Sequence, residues 1–174
     1  LGGFVRAPFD DIDAIKNISQ SNPNIVAIFV EPIQGEGGLS IASDEYMQAL
    51  RELCDQHEWL LMLDEVQTGN GRTGHYFAYE GYGIVPDVVT TAKGMANGFP
   101  IGACLAKGVA SETLTPGTHG STFGGNPLGC AAALATTNEI TTNNLCDRAK
   151  LLGDRIVSTL KTELLAANYV KDIR

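Results

Sequence analysis

The sequence predicts an α/β fold: a mostly parallel sheet flanked by helices. Three observations point there. Short apolar runs, 25–30, 59–63, 87–92 and 101–106, alternate with longer stretches of helical period. Two of the runs end in a charged residue followed by turn-rich sequence, Asp64 in one case and Lys93 in the other. No internal repeat or low-complexity tract interrupts the alternation.

Each element has a local reason. Residues 9–20 place Ile12, Ile15 and Ile18 at helical spacing after Pro8, a start signal. The run Ile25-Val26-Ala27-Ile28-Phe29-Val30 suits a strand buried on both faces, and 31–38 reads as a loop. Ser43 caps a helix over 44–57, with Asp44 and Glu45 in its first turn and Met47, Leu50, Leu53 and Cys54 on one face. Asn126-Pro127 starts another helix, to about Ile140. A last helix over about 144–166 carries Leu145, Ala149, Leu152, Ile156, Leu160 and Leu164 and leads to an apparent strand at 169–174.

Composition narrows the function. The 174 residues are 44% hydrophobic and 18% charged, enough for a real core. A formal net charge of −8 argues against a nucleic-acid or anionic-membrane partner. Cys54, Cys104, Cys130 and Cys146 show no C-x-x-C spacing, so no metal site is expected; they read as small buried thiols suited to a reducing cytoplasm. No run is long enough to span a bilayer as a helix, and no signal peptide is visible. The chain begins without methionine and stops inside the apparent last strand, so it reads as a piece of a longer protein.

In parallel α/β sheets ligands sit beyond the carboxyl ends of the strands, where Glu31, Asp64 and Lys93 all fall. A lysine held there in apolar surroundings is a candidate Schiff-base nucleophile, although a strand-end lysine is more often simply solvated. With an aspartate on the neighbouring strand it forms the minimal equipment for pyridoxal phosphate chemistry. Asp64 alone also resembles the magnesium-binding strand of P-loop enzymes, but no G-x-x-x-x-G-K-[ST] loop occurs in the chain. Gly69-Asn70-Gly71-Arg72-Thr73-Gly74 matches G-x-G-x-x-G. A nucleotide-binding module would need a helix to open there and an acidic residue to end the next strand, which ends in Lys93 instead. His119-Gly120-Ser121-Thr122-Phe123-Gly124-Gly125 sets hydroxyls before a helix N-terminus, a setting that favours phosphate but is also that of an ordinary capped loop.

Taken together, several stretches resemble the class III, pyridoxal-phosphate-dependent aminotransferases, most closely the branch that includes the acetylornithine aminotransferases. They are Val30–Gly38, Leu63–Gly69, Gly71–Gly74, Thr91–Gly94, Gly98–Ala103 and His119–Leu128, in the family's order and spanning nearly the whole chain. The resemblance implies fold type I, the aspartate-aminotransferase-like large domain. Residues 1–165 would be the central part of that cofactor-binding domain, and 166–174 the start of a truncated C-terminal small domain. It implies that Lys93 takes pyridoxal 5'-phosphate covalently and later moves a proton between substrate and cofactor. Asp64 would face the pyridine nitrogen, Gln67 the ring's phenolic oxygen, and Thr122 with Ser121 the cofactor phosphate. Thr122 would reach the partner subunit's cofactor in a homodimer. Glu36 matches a glutamate that pairs with a substrate-carboxylate arginine in ornithine-type relatives.

The implied reaction passes the amino group of N2-acetylornithine to 2-oxoglutarate in arginine biosynthesis, in the cytoplasm. Related donors are succinylornithine, N-succinyl-diaminopimelate, ornithine and 4-aminobutyrate. The family's upstream phosphate segment and stacking aromatic, and its downstream arginine, have no counterpart here, so the chain alone is expected to be inactive. A non-catalytic relative and a nucleotide-binding module are the readings from other classes.

Overall fold

A computed structural model describes residues 2–36, 38–164, 167 and 169–174. The expected boundary between residues 165 and 166, the expected end of the last helix and Gly37 of the 31–38 loop lie outside the described residues.

The chain begins with helix α1 (Ile12–Ser21) and strand β1 (Ala27–Val30), then a two-residue hairpin of β2 (Ile33–Gln34) and β3 (Ser40–Ile41). Helix α2 (Asp44–His57), strands β4 (Leu60–Asp64), β5 (Val88–Thr91) and β6 (Ala103–Ala106), and helices α3 (Val109–Thr113), α4 (Pro127–Thr142) and α5 (Leu145–Leu164) follow. The main sheet runs β1-β4-β5-β6. β1–β4 and β4–β5 pair in parallel, and β5–β6 pair antiparallel. The mostly parallel α/β architecture is therefore as the sequence predicts. The antiparallel edge follows from connection length, because the turn-rich segment after β5 carries no helix long enough for a crossover.

Helix α2 matches its expected limits, with the Ser43 side chain accepting from Tyr46 N at 3.2 Å. Its Tyr46, Met47, Leu50, Leu53 and Cys54 are buried. Tyr46, Met47, Leu50 and Cys54 form the core with Leu61 and Leu63 of β4, and Phe9, Ile12, Ile15, Trp59 and Tyr82 pack around it. α4 starts as expected, Asn126 Oδ1 accepting from Gly129 N at 2.8 Å with Pro127 behind it.

Several expectations are corrected. α1 starts at Ile12, capped by Asp11, whose Oδ1 accepts from Ala14 N at 2.9 Å; Pro8 lies just ahead of the turn at Phe9 and Asp10 that precedes it. β1 is an edge strand rather than one buried on both faces, and Phe29 is 54% exposed. The segment read as a loop at 31–38 holds β2, whose two residues pair with β3. No strand forms at 169–174. The apolar stripe of α5 has no buried residue, and Leu152, Ile156 and Leu160 are exposed. Of the cysteines only Cys54 is buried, where loss of hydration pushes its thiol up to about 12. Cys104 stands on edge strand β6 and Cys130 on a solvent-facing part of α4, so both are exposed.

At the amino end of the parallel pair, Asp87 joins three elements. Its Oδ2 accepts from Arg51 Nη1 of α2 at 2.8 Å and from Leu61 N of β4 at 2.9 Å, and Arg51 also pairs with Asp55. Burial acts to raise the Asp87 pKa; the Arg51 hydrogen bond, the Leu61 N–H and the charges of Arg51 and Lys107 outweigh it, so the carboxyl sits below its ordinary value. A depressed carboxyl contributes stability that is present above its unfolded pKa and lost as pH falls through its folded pKa. We expect Asp87→Asn to destabilise the fold by about 2 kcal/mol at neutral pH, the scale of a charge-assisted hydrogen bond. The gap in urea stability between it and the wild type should narrow as pH falls below the ordinary carboxylate range. A gap independent of pH would show that the charge of Asp87 is not what stabilises this corner.

Candidate active site at the carboxyl edge of the sheet

β4 and β5 run parallel, with Asp64 in register with Thr90. The two chains therefore leave the sheet side by side at the same edge, β4 through Asp64 and β5 through Thr91, Ala92 and Lys93. This placement brings the sequence-predicted amine and carboxylate to one end of neighbouring strands, and Glu31 follows the end of β1 on the same edge.

Lys93 opens a 3₁₀ turn, Lys93–Ala96, and its backbone is left-handed with φ 48°. The residue is exposed rather than held in apolar surroundings, because the turn swings it away from the buried face of β5. Its Nζ donates to Oε1 of Gln67. Gln67 lies three residues beyond Asp64, so the amine of one strand end is tied to the loop that leaves the other. Asp64 is half-buried, and its Oδ1 accepts from Val66 N at 2.9 Å. Gly35, beside the expected Glu36, crosses Gln67 closely: a Cβ there would lie 2.7 Å from Gln67 Cγ. That close approach requires glycine and places the β2–β3 hairpin over the Gln67 side chain. Glu36 itself is exposed.

Ser121 and Thr122 are not brought to Lys93 by any contact among the described residues. Both are exposed on the turn before α4, where Gly124 N donates to Ser121 O at 3.2 Å. α4 packs its Gly129 against Phe99 and Ile101 instead, leaving that turn outside the packed region. Two surface hollows involve neither Lys93 nor Asp64. One, of about 550 Å³, is lined by Asp154, Lys161 and Arg174 among others, and one, of about 210 Å³, by Asp44, Thr73, His75 and Tyr82 among others. The amine and the carboxylate stand on an open edge.

The sequence reading passed over Glu65. It is fully buried, and its carboxylate accepts from Thr68 Oγ1, from Ala78 N at 2.9 Å and from Tyr79 N at 2.9 Å. Its own N–H donates to Thr90 O at 2.8 Å, and its carbonyl accepts from Gly69 N at 2.8 Å. Glu65 thus folds the 66–79 segment back onto the end of β4. The signal was present: Leu61, Leu63 and Glu65 alternate onto the buried face, all with 0% exposure. No helix opens at Gly69–Gly74, whose residues form turns, so the geometry of a dinucleotide site is absent there.

The donor set fits a pyridoxal-type cofactor: an accessible amine, a carboxylate on the adjoining strand with one oxygen engaged locally, and an amide that accepts from the amine. These groups stand at the carboxyl edge of an α/β sheet, where such folds place their ligands. The chain belongs to the class-III aminotransferases; the family model described as Aminotransferase class-III matches residues 7–174. It is 49% identical over 174 residues to the acetylornithine aminotransferase of Nitrosomonas europaea, covering 100% of this chain and 44% of that relative. To the acetylornithine aminotransferase of Vibrio parahaemolyticus it is 52% identical over 140 residues, covering 80% of this chain and 34% of that one. Among solved structures, the ornithine aminotransferase of Toxoplasma gondii superposes with a TM-score of 0.94 at 39% identity, over 100% of this chain and 41% of that one. That enzyme, crystallised with oxidized glutathione, has partial occupancy of PLP at its active site. The acetylornithine aminotransferase of Elizabethkingia anophelis matches with a TM-score of 0.94 at 37% identity, over 99% and 43% of the two chains. The chain spans less than half the length of each of these relatives.

Replacing Glu65 with glutamine tests the clamp. Either amide orientation turns an NH2 toward a backbone N–H, at Ala78 or at Tyr79. The expected cost is about 1–3 kcal/mol, as for a buried donor left without an acceptor, with faster proteolysis within 66–80. A variant as stable and as protease-resistant as the parent would contradict the clamp.

Proposed function

We propose that this chain carries the reactive lysine of a pyridoxal-phosphate-dependent aminotransferase that passes the amino group of N2-acetylornithine to 2-oxoglutarate. The products are N-acetylglutamate 5-semialdehyde and glutamate. The observation that carries the reading is the Lys93 amine hydrogen-bonded to Gln67, three residues beyond Asp64, at the shared carboxyl edge of β4 and β5. The names of the relatives from Nitrosomonas and Vibrio support N-acetylornithine as donor. The structural match to an ornithine aminotransferase keeps ornithine as the second candidate.

When bound, pyridoxal phosphate supplies an electron sink for the substrate carbon that loses its proton. The residues of this chain do the rest. Lys93 provides the nucleophilic Nζ and then holds and returns the proton removed from that carbon. Asp64 offers a negative charge that keeps a proton on a facing ring nitrogen. Gln67 orients Nζ and offers its amide to an oxygen beside it. Ser121 and Thr122 would contribute hydroxyls to a phosphate, Thr122 in the partner's site of a homodimer. Glu36, at the mouth of the hairpin, would screen or pair a cation that binds a substrate carboxylate. Residues 1–165 form the central part of the large domain in this reading, and 166–174 begin a small one. Among the described residues no helix is long and apolar enough to cross a membrane, which is compatible with the proposed cytoplasmic setting.

The test uses this chain carried within a protein of the relatives' length. Lys93→Ala should lose the visible absorption of the lysine-linked cofactor. Its turnover should fall by at least about 10²-fold, the lower end of what one positioned acid–base group contributes. N-acetylornithine should be used with a higher kcat/KM than ornithine or 4-aminobutyrate. Retention of the band by Lys93→Ala would end the reading, and preference for another donor would end the substrate assignment alone.

A further inference from the structure

The glycine-rich stretch 69–74 has no nucleotide geometry, yet it lies against the end of β5. The Nδ2 of Asn70 donates to Thr91 Oγ1 at 2.9 Å and to Ala92 O at 3.1 Å. Both acceptors immediately precede Lys93. Ala92 O also accepts from Met95 N at 3.0 Å, so the carbonyl that starts the turn is bonded from two sides. A Cβ on Gly94 would lie 3.6 Å from Asn70 Cβ, so the asparagine packs beside the residue that follows Lys93 as well.

The backbone leaves the strand at one residue. Ala92, with φ −163°, is still extended, and Lys93 has φ 48°. A lysine in the left-handed region persists only where its surroundings over-determine it. Asn70 itself has φ 60°, a conformation asparagine tolerates well. It is anchored on both sides, by Gly69 N donating to Glu65 O at 2.8 Å and Gly71 N donating to Tyr76 O at 3.2 Å. The brace is therefore fixed to the clamp around Glu65 rather than to a free loop.

We propose that Asn70 is a positioning residue for Lys93: its amide holds Thr91 and Ala92 so that the chain leaves β5 in the left-handed turn that delivers Nζ to Gln67. Asn70 touches neither reactant nor cofactor in this role, and the inference rests on the reading of Lys93 as the reactive lysine.

The experiment uses the enzyme at the relatives' length, with cofactor removed and added back. Lys93 Nζ condenses with the added aldehyde, forming one C=N bond and releasing water, with no oxidation or reduction. Formation is followed by the visible band and confirmed by borohydride trapping, with the adduct placed on residue 93 by mass spectrometry. Asn70→Gly removes the amide but accepts the same φ. Asn70→Asp keeps the shape but has no N–H to donate. Both should slow condensation about tenfold or more, the scale expected when a reacting group is misplaced by part of an ångström. Both should also move the pH midpoint of the band, while Asn70→Gly keeps its melting temperature within about 5 °C. Thr91→Val, which removes one of the two acceptors, should slow condensation less. Parental rates and an unchanged pH midpoint in both Asn70 variants would overturn the proposal. If Asn70→Gly does not fold, Asn70→Asp decides alone. A band that survives Lys93→Ala defeats the underlying reading, whereas a band lost there but untouched in the Asn70 variants defeats only the brace.

Discussion

The parallel pairing of β4 with β5 is the constraint on which the site depends. It brings two chain ends to one edge in a fixed register, Asp64 opposite Thr90. Each end of the pair is closed by a carboxylate. At the amino end Asp87 receives Leu61 N of β4 and Arg51 of α2, while its backbone exchanges bonds with Leu61 and Lys107. At the carboxyl end Glu65 donates its N–H to Thr90 and gathers the returning segment with its side chain. Strand alternation then sorts consecutive acids by role: Glu65 faces inward as structure, and Asp64 faces the edge as a candidate reagent.

A fully buried carboxylate is costly unless its oxygens are satisfied. Glu65 meets that condition with the hydroxyl of Thr68 and the backbone N–H groups of Ala78 and Tyr79 on the returning segment. The effect is to make an otherwise irregular stretch, with turns from Val66 to Gly74, a fixed part of the sheet's edge. Gln67 and Asn70 both stand on that stretch. One meets the Lys93 amine and the other the backbone just before it. A single buried acid thus supports both contacts that aim the lysine.

Much of this was legible in the residues. The limits of α2 and the start of α4 follow from Ser43 and Asn126-Pro127, because capping chemistry is local. The strand-end placement of Asp64 and Lys93 follows from apolar runs that stop at charges. What was not legible depends on neighbours. The apolar run of β1 says that the strand prefers burial, not that it will lie at an edge, and Phe29 is exposed there. Cys104 and Cys130 sit in apolar sequence, yet the faces that carry them meet solvent. The alternation of Leu61, Leu63 and Glu65 points Glu65 inward, but what makes its burial tolerable is the returning 77–79 segment, which no residue near Glu65 announces.

The left-handed turn at Lys93 has its own logic. Had β5 continued straight, Thr91 and Lys93 would share a face, since residues two apart in a strand do. Thr91 is 4% exposed, so a straight continuation would carry an ammonium toward the interior, where desolvation opposes the charged form. The turn avoids this by ending the strand's alternation one residue early. Thr91 stays inside, with its hydroxyl accepting from Asn70, and Lys93 swings to the open edge where Gln67 can receive it. It is the bend, more than the strand, that makes a buried apolar run end in an accessible amine. A left-handed φ at a residue that cannot be glycine is the local strain that accompanies this placement.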